Sequence, residues 1–162
     1  MNYLLDDKKM SLQSVKSFFV QHAPDIKVVE LDASTATVAL AAEALGVASG
    51  QIAKTLSLRV GEETIVLVIR GDARLDNRKY KQCFGVKARM LDASDVERET
   101  GHPIGGVSPF GLSNPLKVFC DVSLQDFPVV FPAGGAPNAA VRITPERMAM
   151  LASAQWVDVV QQ

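Results

Sequence analysis

Two apolar segments separated by a short turn constrain the fold of this 162-residue chain more than any other feature. Residues 52–60 alternate between apolar and polar side chains, as a half-buried β-strand does, whereas residues 64–70 are apolar on both faces. The connecting Gly61-Glu62-Glu63 is typical of a hairpin turn. The sequence therefore predicts a β-hairpin whose second strand lies in the middle of a sheet.

The other predicted elements are short and mixed in order. Five helices are predicted: one capped by Ser11 and ended by Pro24, one from Ser34-Thr35 to Gly46, one over 75–84, one over 92–100 and one from Thr144 onward. Strands are predicted at 26–31, 86–91, 116–122, 128–131, 138–143 and 156–160. Strict β-α-β alternation is missing, which favours an α/β mixed (α+β) domain with a curved, mixed or antiparallel sheet and helices outside. We expect residues 1–10 to form an N-terminal extension and residues 11–162 to form a single domain.

Composition narrows the classes of protein. No apolar run approaches the roughly 20 residues of a membrane span, and the chain starts with acidic residues, so we expect a cytoplasmic protein without a membrane partner. Cys83 and Cys120 form no CxxC motif, and with only His22 and His102 beside them the chain lacks a recognisable set of metal ligands. Two reduced, structural cysteines and no metal are expected.

Positive charge is concentrated in one segment, although the net charge is only −1. Seven of the 17 Lys and Arg residues fall between positions 70 and 89. We call residues 70–89 the basic segment; it includes Arg70, Arg74, Arg78 and Lys79, which are candidates for a phosphate-binding patch. A solvated helix face explains the same pattern.

Lys54 is the only charged residue on the apolar stripe of residues 52–60. Burying an unpaired ammonium is costly, so an inward-facing lysine lines a cavity, meets a carboxylate or binds an anionic ligand. The alternative is that Lys54 reaches solvent along its methylene stem at the start of the strand.

Residues 101–111 contain four glycines and two prolines, which excludes a helix or strand interior and predicts a rigid loop rich in backbone N–H donors. Ser108 does not fit the nucleophile elbow of serine hydrolases, because the spacing is one residue too long and Pro109 lacks an N–H. Gly105-Gly106 is not a P-loop either. Such a loop can stabilise an oxyanion, or it can simply connect a helix to a strand.

Four motifs together resemble the YbaK/EbsC family, which is related to the editing domain inserted in bacterial prolyl-tRNA synthetases. They are Ile52-Ala53-Lys54-Thr55-Leu56, Gly71-Asp72-Ala73-Arg74-Leu75-Asp76, the segment from Gly105 to Gly111, and Gly134-Gly135 followed by residues 138–145. The resemblance extends from about Ser11 to Gln155. It implies a free-standing deacylase of mischarged aminoacyl-tRNA, with a barrel-like, largely antiparallel sheet flanked by helices and no cofactor.

The resemblance also implies roles for individual residues. Lys54 would hold the phosphate of the terminal adenosine, the backbone of Gly105 and Gly106 would engage the aminoacyl carbonyl, and a ribose hydroxyl of the substrate would assist the attacking water. The substrate-binding candidates are Val107, Ser108, Pro109, Gly134, Gly135 and Asn138. Residues 136–139 differ from those of members that act on cysteinyl- or alanyl-tRNA, so the edited amino acid stays open.

Two alternatives from other classes remain. The first is a non-catalytic module that binds tRNA or an aminoacyl-tRNA synthetase; a charge on its apolar face would serve no purpose there. The second is a nucleic-acid-binding protein that uses only the basic segment, but aromatic residues for base stacking are sparse.

Overall fold

The structure, a computed structural model, describes residues 3–162, with side chains from Met10 onward. Five α-helices and seven strands follow one another along the described residues. In order they are α1 (Tyr3–His22), β1 (Val28–Glu30), α2 (Val38–Leu45), β2 (Ile52–Val60), β3 (Glu63–Arg70), α3 (Asn77–Phe84), α4 (Ala93–Thr100), β4 (Lys117–Asp121), β5 (Phe131–Pro132), β6 (Ala139–Val141), α5 (Pro145–Leu151) and β7 (Gln155–Val157).

The main sheet has five strands in the order β5-β2-β3-β4-β7, and β1 pairs with β6 in a second, two-stranded sheet. The predicted hairpin is confirmed: β2 and β3 are antiparallel, with Lys54 opposite Ile69, and β3 is the central strand. The β2–β5, β3–β4 and β4–β7 pairings are parallel. The sheet is therefore mixed, as the absence of strict alternation indicated.

Both faces of β3 are buried, which explains why its sequence is apolar throughout. Val66 and Val68 pack on one face with side chains of α1, α5 and β4, including the buried thiol of Cys120. Ile65, Leu67 and Ile69 pack on the other face with Tyr80 of α3. Helices thus cover the sheet on both sides.

Several predicted boundaries were wrong. Ser11 does not cap a helix, because α1 begins at Tyr3 and Ser11 is buried within it. The cap of α2 is Thr37, whose side chain accepts a hydrogen bond from the Leu40 N–H, and neither Ser34 nor Thr35 has that role. Strands β5, β6 and β7 are shorter than predicted and their ends are shifted.

Residues 86–91 do not form the predicted strand. They touch the sheet through one isolated bridge between Met90 and Leu58 of β2. The Arg59 N–H donates to the Arg89 carbonyl, and the Leu91 N–H donates to the Ser57 carbonyl. This segment therefore covers only the far end of β2 and leaves the middle of that strand's edge unpaired.

Candidate active site

A cavity of about 230 Å³ opens along the edge of β2. Its walls come from α2, the segment before it, α4, residues 90–91, the loop at residues 104–107, and β5 and β6. Most of the lining is apolar, including Val38, Ala41, Leu45, Val96 and Phe131. Lys54 is the only charged side chain among the lining residues of the described chain.

Lys54 is half-buried, and its ammonium donates a hydrogen bond of 3.0 Å to the Ala73 carbonyl. Burial lowers the pKa of Lys54; nearby Asp72 raises it and nearby Arg74 lowers it. The ammonium has no carboxylate within ion-pair distance among the described residues. A half-buried ammonium that is held by one carbonyl and forms no ion pair is suited to an anionic ligand.

The loop at residues 104–107 forms another wall of this cavity through Ile104, Gly105 and Val107. Gly105 has a φ of +84°, and a Cβ there would come within 2.9 Å of Ala36. A Cβ on Gly106 would meet the backbone of Ala136 at 2.8 Å. Both glycines are therefore required by the path of the loop.

The loop leaves some of its backbone donors unoccupied. The Gly106 N–H donates to the Pro103 carbonyl at 2.9 Å. In the described chain, no protein acceptor pairs with the N–H groups of Gly105 and Val107. These two amides, unlike that of Gly106, are therefore not engaged by the described protein.

Ser108 and Pro109 lie in the interior rather than in the cavity wall. The Ser108 hydroxyl accepts a hydrogen bond from the Phe110 N–H at 3.3 Å, which stabilises the turn. Ser108 is thus held in the protein interior, in agreement with its rejection as a nucleophile.

His102 anchors the same loop, a role that the sequence did not indicate. It is fully buried, and its Nε2–H donates to the Phe110 carbonyl at 2.7 Å. Its Nδ1 lies within hydrogen-bond distance of the Ser11 hydroxyl group, which is also within hydrogen-bond distance of the Gly135 carbonyl. Helix α1, the loop and the turn at Gly135 are joined through these contacts.

Gly134, Gly135 and Asn138 lie next to the cavity but do not line it; their neighbours Ala133, Ala139 and Ala140 do. The Gly134 N–H donates to the Ala139 carbonyl, and the exposed Asn138 side chain donates to the Leu31 carbonyl. These residues hold the turn between β5 and β6 in place.

The basic segment divides into paired and unpaired residues. Arg70 forms ion pairs with Asp72 and Asp126, and Lys79 forms one with Asp158. Arg74 and Arg78 are exposed, and neither forms an ion pair with any residue in the described range. Of the four candidate tRNA contacts, these two have free charge.

Thr35 and Thr55 also line the cavity and were not identified from the sequence. Their hydroxyl groups are buried without a hydrogen-bond partner among the described residues. Thr55 directly follows Lys54, which was a usable signal; nothing in the sequence marks Thr35.

Comparison with known proteins gives the family. Residues 32–151 match the family described as the aminoacyl-tRNA editing domain. The chain belongs to this family. The main sheet and its flanking helices form the curled half-barrel of the editing fold. A crystal structure described as a candidate trans-editing enzyme for prolyl-tRNA synthetase superimposes on this chain with a TM-score of 0.86. The two sequences are 35% identical, and the match covers 94% of this chain and 98% of the other.

Two relatives illustrate the range of the editing-domain family. The uncharacterized protein YwhH of Bacillus subtilis is 47% identical over 152 residues, which is 93% of this chain and 97% of YwhH. EbsC of Enterococcus faecalis, named as a candidate Cys-tRNA(Pro)/Cys-tRNA(Cys) deacylase, is 31% identical over 73% of each chain.

The described part of this editing domain lacks two features. It has no helix with the length and apolar character that a membrane crossing needs. Nor do three or more His, Cys, Asp or Glu side chains converge there in a way that could hold a metal ion.

Proposed function

We propose that this protein is a trans-editing hydrolase that deacylates mischarged aminoacyl-tRNA carrying a small amino acid. The observation that carries the proposal is that Lys54, Gly105 and Val107 line one small cavity, while no acceptor in the described chain pairs with the N–H groups of the two loop residues. Because aminoacyl-tRNA is used in translation, we expect the reaction to take place in the cytoplasm.

The reaction is the hydrolysis of an ester. A water oxygen bonds to the aminoacyl carbonyl carbon, the carbonyl oxygen becomes an oxyanion, and the bond to the ribose oxygen then breaks. The amino acid leaves as a carboxylic acid and the tRNA regains its hydroxyl group. The Gly105 and Val107 amides would stabilise the oxyanion, and one such donor contributes about 100- to 1,000-fold in rate.

No side chain in the cavity wall is a convincing general base. Lys54 is a cation, and the remaining polar side chains that line the cavity are the hydroxyls of Thr35, Thr37, Thr55 and Ser57. We therefore assign the proton transfer to the neighbouring ribose hydroxyl of the substrate itself, which takes the water's proton as it gives its own to the departing ribose oxygen. Substrate assistance of this kind needs positioning and electrostatic stabilisation from the protein, which the cavity can supply.

Lys54 and Arg74 would bind the phosphate of the terminal adenosine. Arg74 is close enough to lower the pKa of Lys54, and its charge is otherwise free. A phosphate bound there would be attracted to both cations and repelled by the nearby Asp72 carboxylate, whose charge is paired with Arg70. Arg78 would extend the contact along the acceptor stem.

The size of the cavity supports a small aminoacyl group. Its volume of about 230 Å³ lies below the roughly 300–1,000 Å³ of pockets that hold drug-sized ligands. Small side chains are also the ones that a synthetase sorts poorly, since one methylene is worth only about 1–3 kcal/mol.

The test is a panel of one tRNA charged with different amino acids, incubated with the protein while the loss of the ester is measured. We expect fast deacylation of at least one small aminoacyl ester and slow deacylation of large ones. If the protein binds the tRNA but accelerates the loss of no ester, the alternative of a non-catalytic binding module replaces this proposal.

A further inference from the structure

The floor of the cavity is an unpaired strand edge. Peptide groups alternate in direction along a β-strand, so residues two apart point to the same side. Ser57 and Arg59 of β2 direct their backbone groups away from β3, since they bond to residues 91 and 89. Thr55 must therefore point its own N–H and C=O to this outer side as well.

No described segment pairs with that edge at Thr55. Strand β5 pairs with β2 only at Ile52 and Ala53, and the segment before α4 begins to pair at Ser57. The cavity lies in this gap, because Ala53, Thr55 and Ser57 line it together with Phe131 and Leu91 from the two sides. An N–H donor and a C=O acceptor of one residue thus face the empty space.

A ligand that fits this pair must offer an acceptor and a donor at the spacing of one amino-acid residue. In an antiparallel ladder, two opposite residues exchange both of their hydrogen bonds. The esterified amino acid of an aminoacyl-tRNA has this pattern, with its α-ammonium as the donor and its carbonyl as the acceptor. A longer peptide ligand that adds a strand to the sheet would need a longer unpaired edge than this gap provides.

We propose that the aminoacyl group docks on β2 as a one-residue β-strand. The Thr55 carbonyl accepts a hydrogen bond from the α-ammonium group, and the Thr55 N–H donates to the ester carbonyl alongside the amides of Gly105 and Val107. This inference rests on the proposed function. It adds the chemical group that the protein recognises, which is a hydrogen-bond donor on the α-carbon of the aminoacyl group, whatever the side chain.

Three esters on the same tRNA test this recognition. Alanyl, lactyl and propionyl esters carry an ammonium group, a hydroxyl group and a hydrogen atom at the same carbon. Each kcat/KM is divided by the rate of spontaneous hydrolysis, which corrects for the different reactivity of the esters. We expect the corrected value for the propionyl ester to be at least about tenfold below that of the alanyl ester, with the lactyl ester between them.

A backbone substitution tests the protein side. Replacing the amide that precedes Thr55 by an ester removes one N–H without changing the side chain. We expect corrected kcat/KM to fall by about 10- to 100-fold. The same replacement at Arg59, whose outward N–H donates to the Arg89 carbonyl outside the cavity, is the control and should have a smaller effect on corrected kcat/KM.

A binding measurement separates failure of this inference from failure of the proposed function. In a titration with 3′-deoxy-3′-alanylamino-adenosine, which is not an ester, the backbone amide signal of Thr55 should shift, and the propionylamino analogue should shift it less. Equal corrected rates for the three esters would overturn docking at Thr55 and leave the deacylase intact. If no ester is hydrolysed, the deacylase fails, and an unshifted Thr55 signal then overturns the docking as well.

Discussion

Lys54 is the residue on which the proposed chemistry most depends. Its replacement by Ala should reduce kcat/KM for deacylation by about 100-fold or more, because the phosphate and the developing charge lose their cation. The free energy of unfolding should change little, since the ammonium makes one hydrogen bond, to Ala73, and its burial is unfavourable. Activity assays and urea denaturation of the variant measure both.

Lys117→Ala is the matched control for Lys54→Ala. It removes an exposed ammonium from β4, near the opposite end of the hairpin, where Lys117 pairs with Glu63. Deacylation by this variant should equal that of the wild type. Unchanged turnover in Lys54→Ala would exclude Lys54 from the mechanism.

Tyr80 offers a stability test that does not involve the cavity. Its ring is fully buried against Phe84, but its hydroxyl group has no hydrogen-bond partner among the described residues. Tyr80→Phe removes this unpaired group and keeps the packing of the ring. The free energy of unfolding should rise by up to about 1 kcal/mol. A loss of stability in thermal or urea unfolding would mean that a bound water satisfies the hydroxyl.

At the scale of elements, α3 and the turn before it should form the tRNA contact. Charge reversal at Arg74 or Arg78 should raise KM for tRNA more than it lowers kcat, and should reduce the salt dependence of binding, because each lost phosphate contact releases fewer counterions. Lys117→Glu makes the same change in charge at the other end of the sheet. If both variants keep the affinity and salt slope of the wild type, the tRNA approaches by another surface.

Lys79 should behave differently from its neighbours on α3. Its ammonium donates to the Asp158 carboxylate and to the Val160 carbonyl, which attaches the helix to the end of the chain. Lys79→Glu would bring two negative charges together there. We therefore expect a lower unfolding temperature for this variant, and any loss of tRNA affinity to follow from it.

The contact between α1 and the glycine-rich loop should depend on pH. Burial lowers the pKa of His102, so the folded state binds its proton less readily than the unfolded chain does. The contribution of His102 to the free energy of unfolding is fully present above about pH 6.5, the ordinary pKa of histidine. This contribution is lost as the pH falls from that value to the lowered pKa of the folded state. The free energy of unfolding, measured from pH 7 to pH 5, should therefore decrease.

Two variants isolate the contribution of His102. His102→Gln should flatten this part of the pH profile, because it removes the titrating group. His22→Gln changes an exposed histidine at the end of α1 and should leave the slope as it is. An equal slope in all three proteins would assign the pH dependence to other groups.

The sequence predicted elements well where local chemistry determines them. Gly46 ends α2 in a left-handed conformation, and alternation alone gave the hairpin and the face on which Lys54 lies. The predicted helix cap at Ser11 and the predicted strand at residues 86–91 were wrong for a common reason. The hydroxyl of Ser11 is used by His102 and Gly135, and residues 86–91 have only one bridge to β2. Both depend on partners that are distant in the sequence.

At the scale of the whole molecule, the position of the cavity could not be predicted from any single motif. It exists because β5 covers one end of the β2 edge and residues 89–91 cover the other. The family resemblance indicated Lys54 and the loop after His102 as site residues, and both line that gap. Which amides of the loop are free depends on its turn at Pro103, and this needed the structure.

The buried thiol of Cys120 makes the core measurable by chemical labelling. Its burial in β4 raises its pKa to about 12, so only about one molecule in 100,000 carries the reactive thiolate at neutral pH. A thiol reagent should modify the exposed Cys83 first. In Cys83→Ser, the slow reaction of Cys120 would then report how often the whole sheet opens, and a ligand that occupies the cavity should lengthen that interval.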